Sequence, residues 1–304
     1  MRQAEGALAR RTANDLLDEL GISTAPIDPE WIVRAKQLMF DEKSGFPEDV
    51  YGALFRSGNS FGVLVSSECP SEGHRRFTIA HELGHYHLPG HVDRLFPNEG
   101  DGNALSFGGH FRGRKDPLEV EADCFANELL MPTRLVRSMM RGLGEGLSSI
   151  VTLANEFQTS MSAAAIRYST ATSDPVAVII SRAGVVEWTS ISPALWDHQW
   201  ARSRLKGEWA PRGSGTSRLS SAPTRVLQGD TDGDSMLLCE WFDQAPKSLH
   251  VIEEAVGLGA FGRVLTVLMP QDLSEIESDP DDHGEHDDGR THDWRDAMRT
   301  YRMG

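Results

Sequence analysis

Apolar residues recur at helical spacing through the first half of the chain and at strand-like spacing through much of the rest, and this change of period divides the sequence. Leu8, Ala9, Leu16, Leu17 and Leu20 predict a helix over residues 3–20 that stops at Gly21, a residue suited to the left-handed position after a helix. Asp28-Pro29-Glu30 supplies a cap and a proline at the first helical position, predicting a second helix through Ile32, Val33 and Ala35. Apolar runs at 38–40, 51–55 and 61–65, with a hairpin turn at 57–60, predict a small sheet. Residues 89–115 hold six glycines and little periodicity, which predicts a loop. Helical spacing resumes at 117–131, and again after Pro132 through Val136 and Met140. It returns at 147–157 and 161–168, around a turn at Gln158-Thr159-Ser160. Beyond a boundary near residues 169–175 the period changes. Residues 176–181 and 185–189 predict a hairpin around Arg-Ala-Gly, and 236–242 and 264–268 predict further strands.

Two of these helices carry the chemistry. In Arg76-Phe-Thr-Ile-Ala-His81-Glu82-Leu-Gly-His85-Tyr86, residues four apart lie on one face, so two imidazoles can aim at one point with a carboxylate beside them. Ile79, Leu83 and Tyr86 form a separate apolar face, so one side is expected in the core and the other in a cleft. Gly84, one turn after Ala80, makes a groove of small residues where another helix can pass, and Pro89-Gly90 ends the helix. A catalytic zinc ion takes three protein ligands and leaves a position for water, so a third donor must come from elsewhere. The segment Asp116-Pro117-Leu118-Glu119-Val120-Glu121-Ala122-Asp123-Cys124-Phe125 reads as a capped helix with an apolar stripe at Leu118, Ala122, Phe125 and Leu129. Glu119 and Asp123 share a face, so Glu119 could complete the ligand set while Asp123 accepts the N–H of an imidazole. Alternatively Glu119 is the capping partner of Asp116, or Glu121 is the ligand.

Together the His81-Glu82-x-x-His85 and Glu119-x-Glu-Ala-Asp123-x-Phe-Ala-x-Glu-Leu-Leu-Met-Pro132 motifs resemble the ImmA/IrrE family of metallo-endopeptidases, whose members are anti-repressor proteases and radiation-response regulators. The resemblance is strong over about residues 45–170. It implies an α+β fold: a zincin-like helical metallopeptidase domain with a small β-sheet, then a mixed, strand-rich C-terminal domain. The expected boundaries are 1–172, including a helix-turn-helix-like segment at about 147–169; 173–270, a mixed regulatory or sensor-like domain; and 271–304, an acidic disordered tail. The resemblance also implies Glu119 as third ligand of a zinc ion, with manganese the other candidate metal, and Glu82 as catalytic base. The implied substrate is a helix-turn-helix repressor whose cleavage derepresses stress or mobile-element genes. The alternative is an anti-repressor that sequesters the repressor without hydrolysis. A small-molecule effector at the C-terminal domain is expected by analogy alone.

Composition narrows the partners. Thirty basic against forty-five acidic residues give a net charge of −15, which opposes direct DNA binding, and the second helix of the helix-turn-helix-like pair offers only Arg167. Cys69, Cys124 and Cys239 lack the spacing of a disulfide framework or a thiolate metal site. No signal-like or membrane-spanning apolar run is present, so a cytoplasmic protein is expected. Several segments invite a role. Residues 61–65 or a neighbouring strand could hold extended substrate, and His87, His91 or His110 could stabilise an oxyanion. Six basic residues against one acid in 202–225 read as a solvated linker or an anion-binding surface. Residues 271–290 carry nine acids and one base, and Trp294, Met298 and Tyr301 follow at helical spacing.

Overall fold

The computed structural model describes residues 2–97, 103–107, 116–202, 205–271 and 273. The chain is mixed α+β, and its contacts divide it into two compact units: Met1–Met139 with Leu153–Ser160, and Met140–Thr152 with Met161 onward. The acidic tail and His110 lie outside the described residues. No described helix is long and apolar enough to cross a membrane.

In the first unit, α1 (Arg2–Glu19) buries Ala9, Ala13, Leu16 and Leu17, small and branched residues that share one stripe. Helix α2 (Pro29–Ala35) begins as its sequence predicts, with the Asp28 carboxylate accepting the N–H groups of Glu30 and Trp31. Strands β1 (Met39–Lys43), β2 (Gly52–Ser57) and β3 (Ser60–Ser66) follow, with β2 and β3 joined by a two-residue hairpin turn. Next come α3 (Glu72–His87), α4 (His91–Leu95), β4 (Asn103–Phe107) and α5 (Pro117–Leu130).

The sheet order β1-β3-β2-β4 corrects two expectations. Residues 61–65 lie in β3, which is paired on both sides and has no edge to offer a substrate, so of the strands expected to hold one the neighbouring edge strand β1 is left. Residues 89–115 are not simply a loop. Gly90, at φ 77°, caps the start of α4, and β4 extends the sheet along β2. At five residues each, these elements are too short to show a period among the surrounding glycines.

Helices α6 (Thr133–Met140), α7 (Leu147–Phe157) and α8 (Met161–Ala171) occupy the predicted segments, including the turn at 158–160. At the foot of α5, the buried Glu128 carboxylate accepts the N–H and hydroxyl of Thr133 and the amide of Asn14, so one acid ties α1, α5 and α6 together.

The second unit is built on a five-stranded antiparallel sheet, ordered β6-β5-β9-β8-β7. Its strands are β5 (Ala177–Arg182), β6 (Val185–Ile191), β7 (Thr231–Leu237), β8 (His250–Gly257) and β9 (Arg263–Pro270). Ala183 and Gly184 both take positive φ, as the twist of a two-residue hairpin requires. Ala177, Ile179, Val186, Trp241, Phe242, Val251 and Leu268 are buried in its main core, beside α9 (Pro193–Trp196). The strand predicted at 236–242 is displaced: β7 ends at Leu237, and Leu238, Trp241 and Phe242 fill the core from a helical turn.

The basic stretch 202–225 is not a solvated linker. It contains α10 (Gly215–Ser220) and leads into α11 (Pro223–Gln228), and Arg218 and Arg225 both pair with Asp232 of β7. Periodicity cannot show a six-residue helix, and the acids that neutralise these arginines lie outside the stretch.

Candidate metal centre

Helix α3 starts where Ser71 accepts the N–H of His74 and ends at Leu88, whose N–H donates to the Gly84 carbonyl. Only half of its expected amphipathicity appears. Ile79 and Leu83 are fully buried, but so, nearly, are His81 and His85, at 3 % and 1 % exposure, and Glu82 at 2 %. The polar face is covered because α5 packs against it. A β-carbon on Gly84 would stand 3.1 Å from the Cα of Ala122 and 3.1 Å from a ring carbon of Phe125, so the two backbones are near contact.

Helix α5 carries its acids to that junction. The Asp116 side chain accepts the N–H of Leu118, and Pro117 occupies the first helical position, where no N–H is needed. Glu119 turns its carboxylate onto the histidines, with Oε2 3.2 Å from His81 Nε2 and Oε1 3.3 Å from His85 Nε2. The two Nε2 atoms are 3.0 Å apart. These are close to the separations expected of donors around a tetrahedral zinc ion: at metal–ligand distances of about 2.0 Å, neighbouring donors stand about 3.3 Å apart. His81, His85 and Glu119 form the one such group of three among the described residues.

The protons fit a cation at that point. Asp123 Oδ1 lies 2.8 Å from His81 Nδ1, so that nitrogen carries the proton and Nε2 presents a lone pair. His85 Nδ1 lies 3.1 Å from His91 Nδ1, and His91 Nε2 lies 2.8 Å from Glu121 Oε2. Two lone pairs and a carboxylate converging within hydrogen-bond distance repel one another unless a positive charge lies between them. Burial pushes His85 down to about 4 and also lowers His91, against the pull of their carboxylate partners. Without an ion, burial disfavours a charged Glu119, yet hydrogen bonds donated by His81 and His85 and their attraction hold its carboxyl well below the usual range; a cation between the groups would take over that role and leave both Nε2 atoms as lone-pair donors. A neutral-imidazole, ionised-carboxylate set is the protonation state that metal binding requires.

Glu82 is set against the sheet. A β-carbon on Gly52 would stand 2.3 Å from Thr78 Cγ2 and 3.2 Å from Glu82 Oε1, so the start of β2 leaves room for this carboxylate only because it lacks a side chain. Glu121, the rival ligand in the sequence, points away from the group of three and engages His91.

The candidate oxyanion donors are placed elsewhere. His91 is fully buried between His85 and Glu121, and His87 stacks on Phe125 at an interplanar angle of 12°. Burial pushes His87 down to about 4. The pairing of His91 with Glu121 had one weak sequence signal, a further histidine six residues after His85 beyond a Pro-Gly turn.

A family model matches the part of the chain that holds all these groups. Residues 42–169 match the Peptidase_M78 family model, described as an IrrE N-terminal-like domain. The strand-rich region follows the matched residues. No curated protein sequence matches the chain. Among solved structures, the fold is similar to that of a Mycobacterium tuberculosis transcriptional regulator. The TM-score is 0.54 at 15 % identity, over 86 % of this chain and 75 % of that one.

Proposed function

We propose that this protein is a metal-dependent endopeptidase that cleaves a helix-turn-helix transcriptional repressor, with His81, His85 and Glu119 holding the ion and Glu82 acting as base. The observation that carries this reading is the convergence of two imidazole nitrogens and one carboxylate, from helices far apart in sequence, with nitrogen–nitrogen and nitrogen–oxygen separations of 3.0–3.3 Å. When bound, zinc or manganese would lower the pKa of water and polarise the scissile carbonyl. Glu82, buried beside this group on α3, takes the water proton and passes it to the leaving amine. Asp123 holds His81 with its lone pair turned inward. The Peptidase_M78 match and the regulator-like fold support a protein substrate with a role in gene regulation.

One feature favours a second reading, sequestration of a repressor without hydrolysis: Glu82 and both imidazoles are almost wholly buried. Incubating the zinc-loaded protein with a purified repressor encoded beside it separates the two. The peptidase yields fragments, and Glu82→Gln retains zinc but cleaves at least a hundredfold more slowly. A stable complex with no fragments, or wild-type cleavage by Glu82→Gln, overturns the proposed mechanism.

A further inference from the structure

His91, fully buried, and Glu121, half-buried, are polar and adjacent to the group of three, yet neither is part of it. We propose that they form a positioning pair that fixes His85, holding its Nε2 lone pair toward the ion through a directed chain of two hydrogen bonds. This rests on the metal-site reading above and deepens it.

Geometry sets the direction of the chain. His85 Nε2 faces His81 Nε2 and Glu119, so in a metal site it presents a lone pair and its proton sits on Nδ1. That proton points at His91 Nδ1, 3.1 Å away, which must therefore accept. His91 then carries its own proton on Nε2, which faces the Glu121 carboxylate at 2.8 Å. Every donor meets an acceptor in this order. In the opposite order His91 would present N–H to N–H at one end and a lone pair to a carboxylate at the other, and each unsatisfied buried group costs roughly 1–3 kcal/mol.

The two ligand imidazoles are therefore held by unlike arms. His81 meets a carboxylate directly, through Asp123, whereas His85 reaches one through an intervening imidazole. His91 is wholly buried, so no solvent can substitute for either of its partners. Its position depends on the reversal at Pro89-Gly90, where Gly90 takes φ 77° and starts α4 so that His91 comes back against α3. Polarisation along the chain makes His85 a stronger donor to a cation, as carboxylate-linked histidines are in metal sites generally.

Three quantities test this in the full chain: zinc affinity by competition with a chromophoric chelator, the melting temperature without metal, and the ring 15N shifts of His85. His91→Ala and Glu121→Ala should each weaken zinc about 10–100-fold while the metal-free melting temperature moves by only a few degrees. Glu121→Gln, whose amide oxygen still accepts from His91, should lose less than about threefold. The 15N shifts should report a protonated Nδ1 on His85 in the wild type and a mixture of tautomers in His91→Ala. Should His91→Ala fail to fold, Glu121→Ala and the wild-type shifts decide. Unchanged affinity in Glu121→Ala, or an unprotonated Nδ1 in the wild type, overturns the pair. Loss of zinc in His91→Ala as complete as in His85→Ala would make His91 a ligand and also overturn it. Failure of the metal site itself looks different: His85→Ala and Glu119→Ala would bind zinc like the wild type.

Discussion

Gly84 and Ala122 bring α3 and α5 to near backbone contact, with 3.1 Å between the Ala122 Cα and the place where a β-carbon on Gly84 would stand. That closeness lets Glu119 reach two imidazoles on the other helix. Replacing Gly84 by Ala adds about 1 kcal/mol of helix propensity but presses on Ala122, so stability should change by less than about 1 kcal/mol. Gly84→Val should lose 2 kcal/mol or more and at least tenfold in zinc affinity as the helices separate. Urea unfolding and chelator competition measure the two. A Gly84→Val variant with wild-type affinity would show that helix spacing does not set the site.

Gly52 governs Glu82 in the same way from the sheet side. The alanine methyl of Gly52→Ala would overlap Thr78 and press on Glu82, at 2.3 and 3.2 Å. The expected result is a loss of about 1–3 kcal/mol in stability, a tenfold or greater fall in kcat, and zinc affinity within threefold of the wild type. Parallel losses of zinc and turnover would instead mean that the whole helix had moved.

Buried neutral histidines give the metal-free protein a one-sided pH dependence. His85 and His87 fall to about 4 in the folded chain, against an unfolded value near 6.5. Between these values the unfolded chain binds more protons, so stability is full above about pH 6.5 and is lost as pH falls toward 4. His87→Phe, which keeps a ring against Phe125, removes one of the two groups. The difference between pH 7 and pH 4.5 should shrink by on the order of 2 kcal/mol in urea titrations of the metal-free protein. Parallel curves for variant and wild type would exclude His87 as a contributor.

In the second unit, Glu253 accepts the N–H groups of Gly215 and Thr216 and the Thr216 hydroxyl, at 2.5–3.0 Å, while almost wholly buried. Glu253→Gln turns an amide NH2 toward donors and should destabilise the protein by about 2–4 kcal/mol. Zinc affinity should stay unchanged, because every proposed metal donor belongs to the other unit. Coupled losses in both measurements would contradict that separation.

Most helix boundaries, the hairpin at Ala183-Gly184 and the candidate residues of the proposed metal centre were legible in the sequence because local rules govern them. Caps, prolines, positive-φ turns and four-residue spacing each act within one or two turns of chain. Sequence could place His81 and His85 on one face and offer Glu119, Glu121 and Asp123 as partners, but not assign them. Only the packing of α5 on α3 did that, sending Glu119 to both imidazoles, Asp123 to His81 and Glu121 to His91. The same holds for β3, whose paired edges depend on β1 and β4, and for Arg218 and Arg225, neutralised by an acid that a later strand carries. Spacing along a chain fixes which side chains share a face. What stands opposite that face is set by which helices and strands pack together, and that is decided only when the whole chain folds.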